Sequence, residues 1–337
     1  MGITHLSGLE VAGVPTMGLG GLPPFTGNWF FVDPAHGSDG NTGAADSPFA
    51  TLYQAYAQCR DGYNDVVVLV GNGQASGSAR LSVALAASVT PSATVGTLTW
   101  AKNACHLIGM TAPTFNARAR IAPPTGTYTA ATFGNSGNMV NVTATGCYFM
   151  NFSIYGGFST GATGEITWID AGGRNSYWGV SFLGLNDAAS AADTASASLK
   201  ISGTTGENTF WYCTVGDDTT TRSVANASLI VSGGSPRNKF IGCDFPMYTS
   251  SSGALCVSVG ASGIDRWLTF DGCRFLNAIG SGSTTATNVG SINAASGGMP
   301  IFADCSALGF SHFAPTYSYV TGAVPTGATT GLAVASA

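Results

Sequence analysis

Apolar and polar residues alternate along this chain in runs of four to six, and the runs recur. Residues 197–203 (ASLKISG) lead to 210–213 (FWYC), 227–233 (ASLIVSG) to 240–243 (FIGC), and 254–260 (ALCVSVG) to 270–273 (FDGC). Phe210, Phe240 and Phe270 stand three residues before Cys213, Cys243 and Cys273, while Val215, Phe245 and Phe275 stand two after. The register extends outwards. Phe302 and Cys305 follow Phe270 and Cys273 by 32; Tyr177, Val180 and Phe182 precede their counterparts by 33, and Cys147 and Phe149 precede Val180 and Phe182 by 33 again. Ile166, Leu199, Leu229 and Val259 sit fourteen residues upstream of the Val180 and cysteine positions. A period of two is that of a half-buried strand, whereas helical repeats of this length would place apolar residues at i, i+3, i+4 and i+7. A repeat near thirty with two short β-runs per unit predicts stacked coils, since one unit cannot bury its inner face alone. The expected fold is all-β: a single-stranded right-handed parallel β-helix. Cys147, Val180, Cys213, Cys243, Cys273 and Cys305 form one inner ladder in this reading, and Phe210, Phe240, Phe270 and Phe302 a second.

The remaining chain divides around this register. Residues 1–28 are apolar, rich in Gly and Pro, and carry Glu10 as their one charge. They read as an extended arm that docks on a partner through Ile3, Leu6, Leu9, Val11, Val14 and Met17. Residues 29–61 hold a leading strand, 29–33 (WFFVD), a turn cluster, 36–43 (HGSDGNTG), and a capping helix. Ser47 is the expected N-cap and Pro48 the first helical residue, with Phe49, Leu52, Ala55, Tyr56 and Cys59 on one apolar face. Coils fill 62–313, and 314–337 form an extended C-terminal tail. Asp33, Asp39 and Asp46 have the oxygen donors of a calcium loop without its spacing, and capping of their own turns explains them.

The pattern V-D-x3-G-S-D-x-N-x-G-x4-P-F-x-T-L-x2-A, running from Val32 to Ala55, resembles the first-coil segment of pectate-lyase-like right-handed β-helix proteins. The likeness covers about forty residues strongly and the later coils by architecture. It implies the fold and a helix capping the first coil. The motif is found in virion proteins of tailed phages and in polysaccharide-active enzymes alike, so it implies no single activity.

Composition narrows the choice. Charged residues are 9% of the 337 and Gly numbers 47, against 45% apolar content. That suits a solenoid and not a disordered chain. A net charge of −5 with 12 basic residues argues against nucleic acid as a partner. No run approaches 18 apolar residues, so no helical membrane span is expected. The start, MGITH, lacks the pattern of a signal peptide, and synthesis in a host cytoplasm is expected. Eight cysteines without a C-x-x-C, and four scattered histidines, predict free buried thiols, no metal site and no cofactor.

Catalysis on this fold needs grouped carboxylates on an outer face. If Cys243 points inward, Asp244 points outward, as do Arg274 and Asp304. These three are weak candidates, and a salt-bridge ladder between coils explains them as well. Trp178, Trp211, Tyr212 and Trp267 are candidate outward aromatics. No convincing catalytic constellation emerges. The favoured reading is a non-enzymatic virion protein, a capsid decoration or cement protein whose arms dock on the major capsid protein or other virion proteins, with a homo-oligomer, such as a trimer, compatible. The alternatives are a phage tailspike or fibre module that binds or cleaves host glycans, and a secreted polysaccharide lyase or hydrolase.

Overall fold

The computed structural model describes residues 25–72, 77–81, 96–123 and 137–314 except 279 and 281, together with the backbone of Glu10–Val11, Val14–Pro15 and Tyr319–Thr321. Among them the chain winds into a right-handed parallel β-helix with three sheets of ten, eight and seven strands. Each coil visits the ten-stranded sheet, then the eight-stranded, then the seven-stranded, as in Thr209–Trp211, Thr214–Val215 and Ala227–Val231. Three strands per coil replace the two runs that the repeat predicts. The third is hidden because one residue turns the corner between the first two sheets. That residue is left-handed in coil after coil: Asn151, Gly179, Tyr212, Gly242, Gly272 and Asp304 have φ between 50° and 61°. A corner this tight leaves FWYCTV looking like one run.

The core is a set of ladders, because parallel pairing puts like positions over like. Phe149, Tyr177, Phe210, Phe240, Phe270 and Phe302 stack with ring centroids 4.3–5.2 Å apart. Leu199 pairs with Leu229 and Leu229 with Val257 on the seven-stranded sheet. Cys213 accompanies Cys243, Cys273 and Cys305 at the corner after the aromatic ladder, and Val180 precedes them. All eight cysteines are free and buried.

Cys147 does not belong to that ladder. Phe149 pairs with Tyr177 and not with Phe182, which places Phe152 below Val180 and sets Cys147 against Asn175 and Cys105 at another corner. Ile166 likewise pairs with Ala197, and Leu229 with Val257 in place of Val259. The physical reason is uneven coil length. Corresponding residues are 28 apart from Cys147 to Asn175, 33 from Asn175 to Asn208, and 30 from Asn208 to Asn238. Corners absorb insertions that a fixed spacing cannot follow.

The capping helix spans Leu52–Gln58, and Thr51 is its N-cap, accepting from the Gln54 amide. Ser47 and Pro48 lie in the preceding loop. The Asp39 carboxylate takes the Ala50 and Thr51 amides and the Thr51 hydroxyl at 2.7–3.0 Å, which holds the chain out of the helix until Thr51. Asp33 caps its own turn through the Ala35 and His36 amides. Phe49, Leu52, Ala55, Tyr56 and Cys59 are buried. Of the N-terminal arm, residues 25–28 and the backbone of the antiparallel pair Glu10–Val11 and Val14–Pro15 are described, and the docking side chains Ile3 to Met17 lie outside the described residues. Within the C-terminal tail, Tyr319–Thr321 adds a strand beside Met299–Ala303.

Candidate functional site

An outer face of three-residue strands presents two rows with a ladder between them. On the ten-stranded sheet Tyr177 points into the core, so Ser176 and Trp178 point out; Phe210 likewise leaves Thr209 and Trp211 outward. Trp178 and Trp211 lie on adjacent coils in register. Their rings stack at 5.6 Å with 26° between planes, and Tyr212 meets Trp178 edge-on at 5.4 Å. Trp178 is 43% and Tyr212 59% exposed. Tyr212 lies across the next coil because that position is Gly242, where a Cβ would come within 2.8 Å of its ring.

Opposite this aromatic ridge runs a charged one. Arg174, Glu207 and Arg237 each precede a strand of the ten-stranded sheet in a left-handed conformation (φ 55°, 60° and 51°), which throws the side chain outward. Glu207 bridges both arginines, 2.8 Å from Arg174 Nε and 3.1 Å from Arg237 Nε. Arg237 and Arg174 hold its carboxyl below the usual range. Just inside the ridge, the next residues are Asn175, Asn208 and Asn238, all fully buried. Each side-chain oxygen accepts the backbone amide of the corresponding residue one coil earlier: Cys147, Asn175 and Asn208 at 2.9, 2.9 and 3.1 Å. This amide ladder fixes the turns that display the charges.

Between the ridges lies a cleft of about 250 Å³ with Ser176 and Thr209 on its floor and Tyr148, Arg174, Glu207 and Trp211 around it. Stacked indoles offer a flat apolar face, and the Arg–Glu–Arg row, four residues back along the chain, offers donors and acceptors. A ring with one apolar face and equatorial hydroxyls fits such a pair of walls.

Asp244, Arg274 and Asp304 stand elsewhere, at the eight-stranded sheet. Arg274 clamps Asp244 at 2.6 Å through both Nε and Nη2, and Asp244 raises its pKa. Asp304 turns the corner one coil beyond Arg274. The coil that carries Arg274 lies between the two carboxylates, and the clamp is an exposed inter-coil pair of small energetic weight. Trp267 is 46% exposed and follows Arg237 along the charged ridge. Among the described residues, no three His, Cys, Asp or Glu side chains gather as a metal site.

Sequence reasoning missed the polar groups inside the solenoid. Asp170 is buried and accepts from Tyr177 Oη at 2.5 Å and Asn175 Nδ2 at 3.0 Å, with burial pushing its pKa up. Glu165 is buried beside Asp187, and burial together with that neighbour raises its pKa to about 9. Arg222 is fully buried, and burial lowers its pKa to about 10; it donates to Ser228 Oγ and the Leu255 carbonyl. The asparagine ladder did leave a signal: an Asn two residues before each of Tyr177, Phe210 and Phe240.

No family model matches this chain, and no curated protein matches it either. Solved structures do. A rhamnogalacturonan lyase aligns with TM-score 0.53 and 15% identity, covering 85% of this chain and 69% of its own. Pectate lyase Pel9A aligns with TM-score 0.52 and 13% identity, covering 90% and 73%. The pectin methylesterase PemA from Erwinia chrysanthemi aligns with TM-score 0.52 and 16% identity, covering 86% and 80%. At these identities the likeness is one of fold: this chain shares the parallel β-helix of these pectate-lyase-like structures.

Proposed function

We propose that this chain binds a polysaccharide on the outer face of its ten-stranded sheet, as a recognition module. The observation that carries the reading is the stacked pair of exposed Trp178 and half-buried Trp211 facing the Arg174–Glu207–Arg237 row across a floor of Ser and Thr. Large aromatic faces left together in water mark interaction surfaces more than they mark neglected core. The fold neighbours are by name pectin- and rhamnogalacturonan-acting enzymes, which supports a glycan as the ligand. It also favours the polysaccharide alternative over capsid decoration.

Retention fits the cleft better than cleavage. Glycoside hydrolysis needs two carboxyl groups, one of them able to give a proton. Glu207 is the carboxylate lining this cleft, and two guanidiniums keep it ionised.

The test is affinity electrophoresis of the purified protein through gels containing pectins, rhamnogalacturonan or bacterial surface polysaccharides. At least one glycan should retard it. Trp178→Ala and Trp211→Ala should each weaken that retention about fivefold or more, as expected for a stacked ring worth ~1–3 kcal/mol, without lowering the unfolding temperature. Release of new reducing ends or unsaturated products, abolished by Glu207→Gln, would turn the reading from a binder into an enzyme.

A further inference from the structure

The groove is bounded along its length as well as at its sides. Its floor follows one outward row of the ten-stranded sheet: Trp29, Val66, His106, Tyr148, Ser176, Thr209, Lys239 and Thr269 in pairing order. Ser176 and Thr209 are small and uncharged, with Trp178 and Trp211 on one side and Arg174 and Glu207 on the other. At about 4.8 Å per coil, that leaves a floor of roughly 10 Å.

The first end is built shut. The Phe25 ring lies on this row, 4.6 Å from His106, 5.8 Å from Tyr148 and 6.0 Å from Trp29, centroid to centroid. It is held there by the backbone just behind it. Gly27 passes so close to Asn64 that a Cβ would run into its backbone. The Asn28 amide donates to Asp65 Oδ1 at 2.7 Å, and the Asn28 carbonyl accepts from Val66 at 2.8 Å. Beneath the ring, His106 is buried and stays neutral, its pKa lowered to about 4 by burial. Its Nδ1 accepts the Tyr148 amide at 3.0 Å, which a protonated ring could not do. The plug is thus Phe25 on His106 on a fixed strand, with Tyr148 as the end wall of the cleft.

The other end yields. Lys239 rises from the floor there and reaches Asp271 only loosely, at 3.9 Å. A long side chain so weakly paired can swing aside. We propose, resting on the glycan-binding reading above, that the groove takes the terminal residues of a polysaccharide against the Phe25–Tyr148 wall, the rest of the chain leaving over Lys239, and that Phe25 is the residue that imposes this end specificity.

End recognition and mid-chain recognition differ in what saturates. The probe is the polysaccharide of the panel that binds, used at its native length and after partial acid hydrolysis to fractions of known mean length. For the wild-type protein, bound protein per gram should rise in proportion to the number of chain ends: cutting the mean length tenfold raises capacity about tenfold. Phe25→Ala opens the wall, so its capacity per gram should already be high on the intact polymer and change less than twofold on cutting. A far-ultraviolet spectrum and unfolding temperature matching wild type confirm that the variant is folded. Should that variant unfold, Tyr148→Ser opens the same wall from the strand side. Wild-type capacity independent of polymer length would overturn the inference while leaving glycan binding intact. Absence of binding to every polysaccharide would remove the glycan-binding reading and this inference with it.

Discussion

Glu165 shows how much a single buried carboxyl can shape the stability of this solenoid. It sits just before the strand Ile166–Asp170, takes the Ala162 amide, and faces Asp187, which caps the short helix Ala188–Ala191. Burial is the largest cause of its raised pKa and the hydrogen bond with Asp187 the next. The sign follows directly. Between about 4.5, where the unfolded chain ionises, and about 9, the folded state keeps a proton that the unfolded state has lost, so stability falls as pH rises. Glu165→Gln keeps the shape and removes the titration. It should be more stable than wild type at pH 8 by on the order of 2–4 kcal/mol, and the difference should vanish below pH 4, as read by denaturant unfolding across pH. A difference independent of pH would mean that Glu165 is ionised in the fold.

At the scale of the element, the corner turns do most of the organising. Left-handed non-glycine residues such as Arg174, Glu207 and Arg237 are intrinsically strained, and the buried asparagine that follows each offsets that strain by satisfying the amide one coil earlier. Asn208→Ala leaves the Asn175 amide buried without its acceptor, and should cost about 1–3 kcal/mol in an unfolding titration. A loss below ~0.5 kcal/mol would mean that a water takes over the amide. These elements also show what the sequence could reveal. The aromatic ladder from Phe210 to Phe302 was legible because its spacing stays near thirty and its chemistry repeats. Cys147 was misplaced because the coil after it is short, and Thr51 displaced Ser47 as N-cap because Asp39 acts from twelve residues away. The candidate groove was half legible: Trp178, Trp211 and Tyr212 could be marked as outward candidates, yet Arg174, Glu207 and Arg237 meet only because unequal coils bring positions 33 and 30 residues apart into line.

The described coils form a solenoid whose inner ladders are nearly all apolar and whose outer faces are mostly small and polar. On such a body a groove walled by tryptophan on one side and paired charges on the other is the feature that asks for a ligand. Three-strand coils make the groove run parallel to the rod axis, the direction in which an extended polymer would lie. The most direct measurement is therefore a crystal structure of the protein with an oligosaccharide cut from the polysaccharide that binds it best. The account predicts sugar density stacked on Trp178 and Trp211, with hydroxyls in reach of Arg174 and Glu207 and one ring ending against Tyr148 and Phe25. Density on the eight-stranded sheet around Asp244 and Arg274, with an empty cleft, would contradict it.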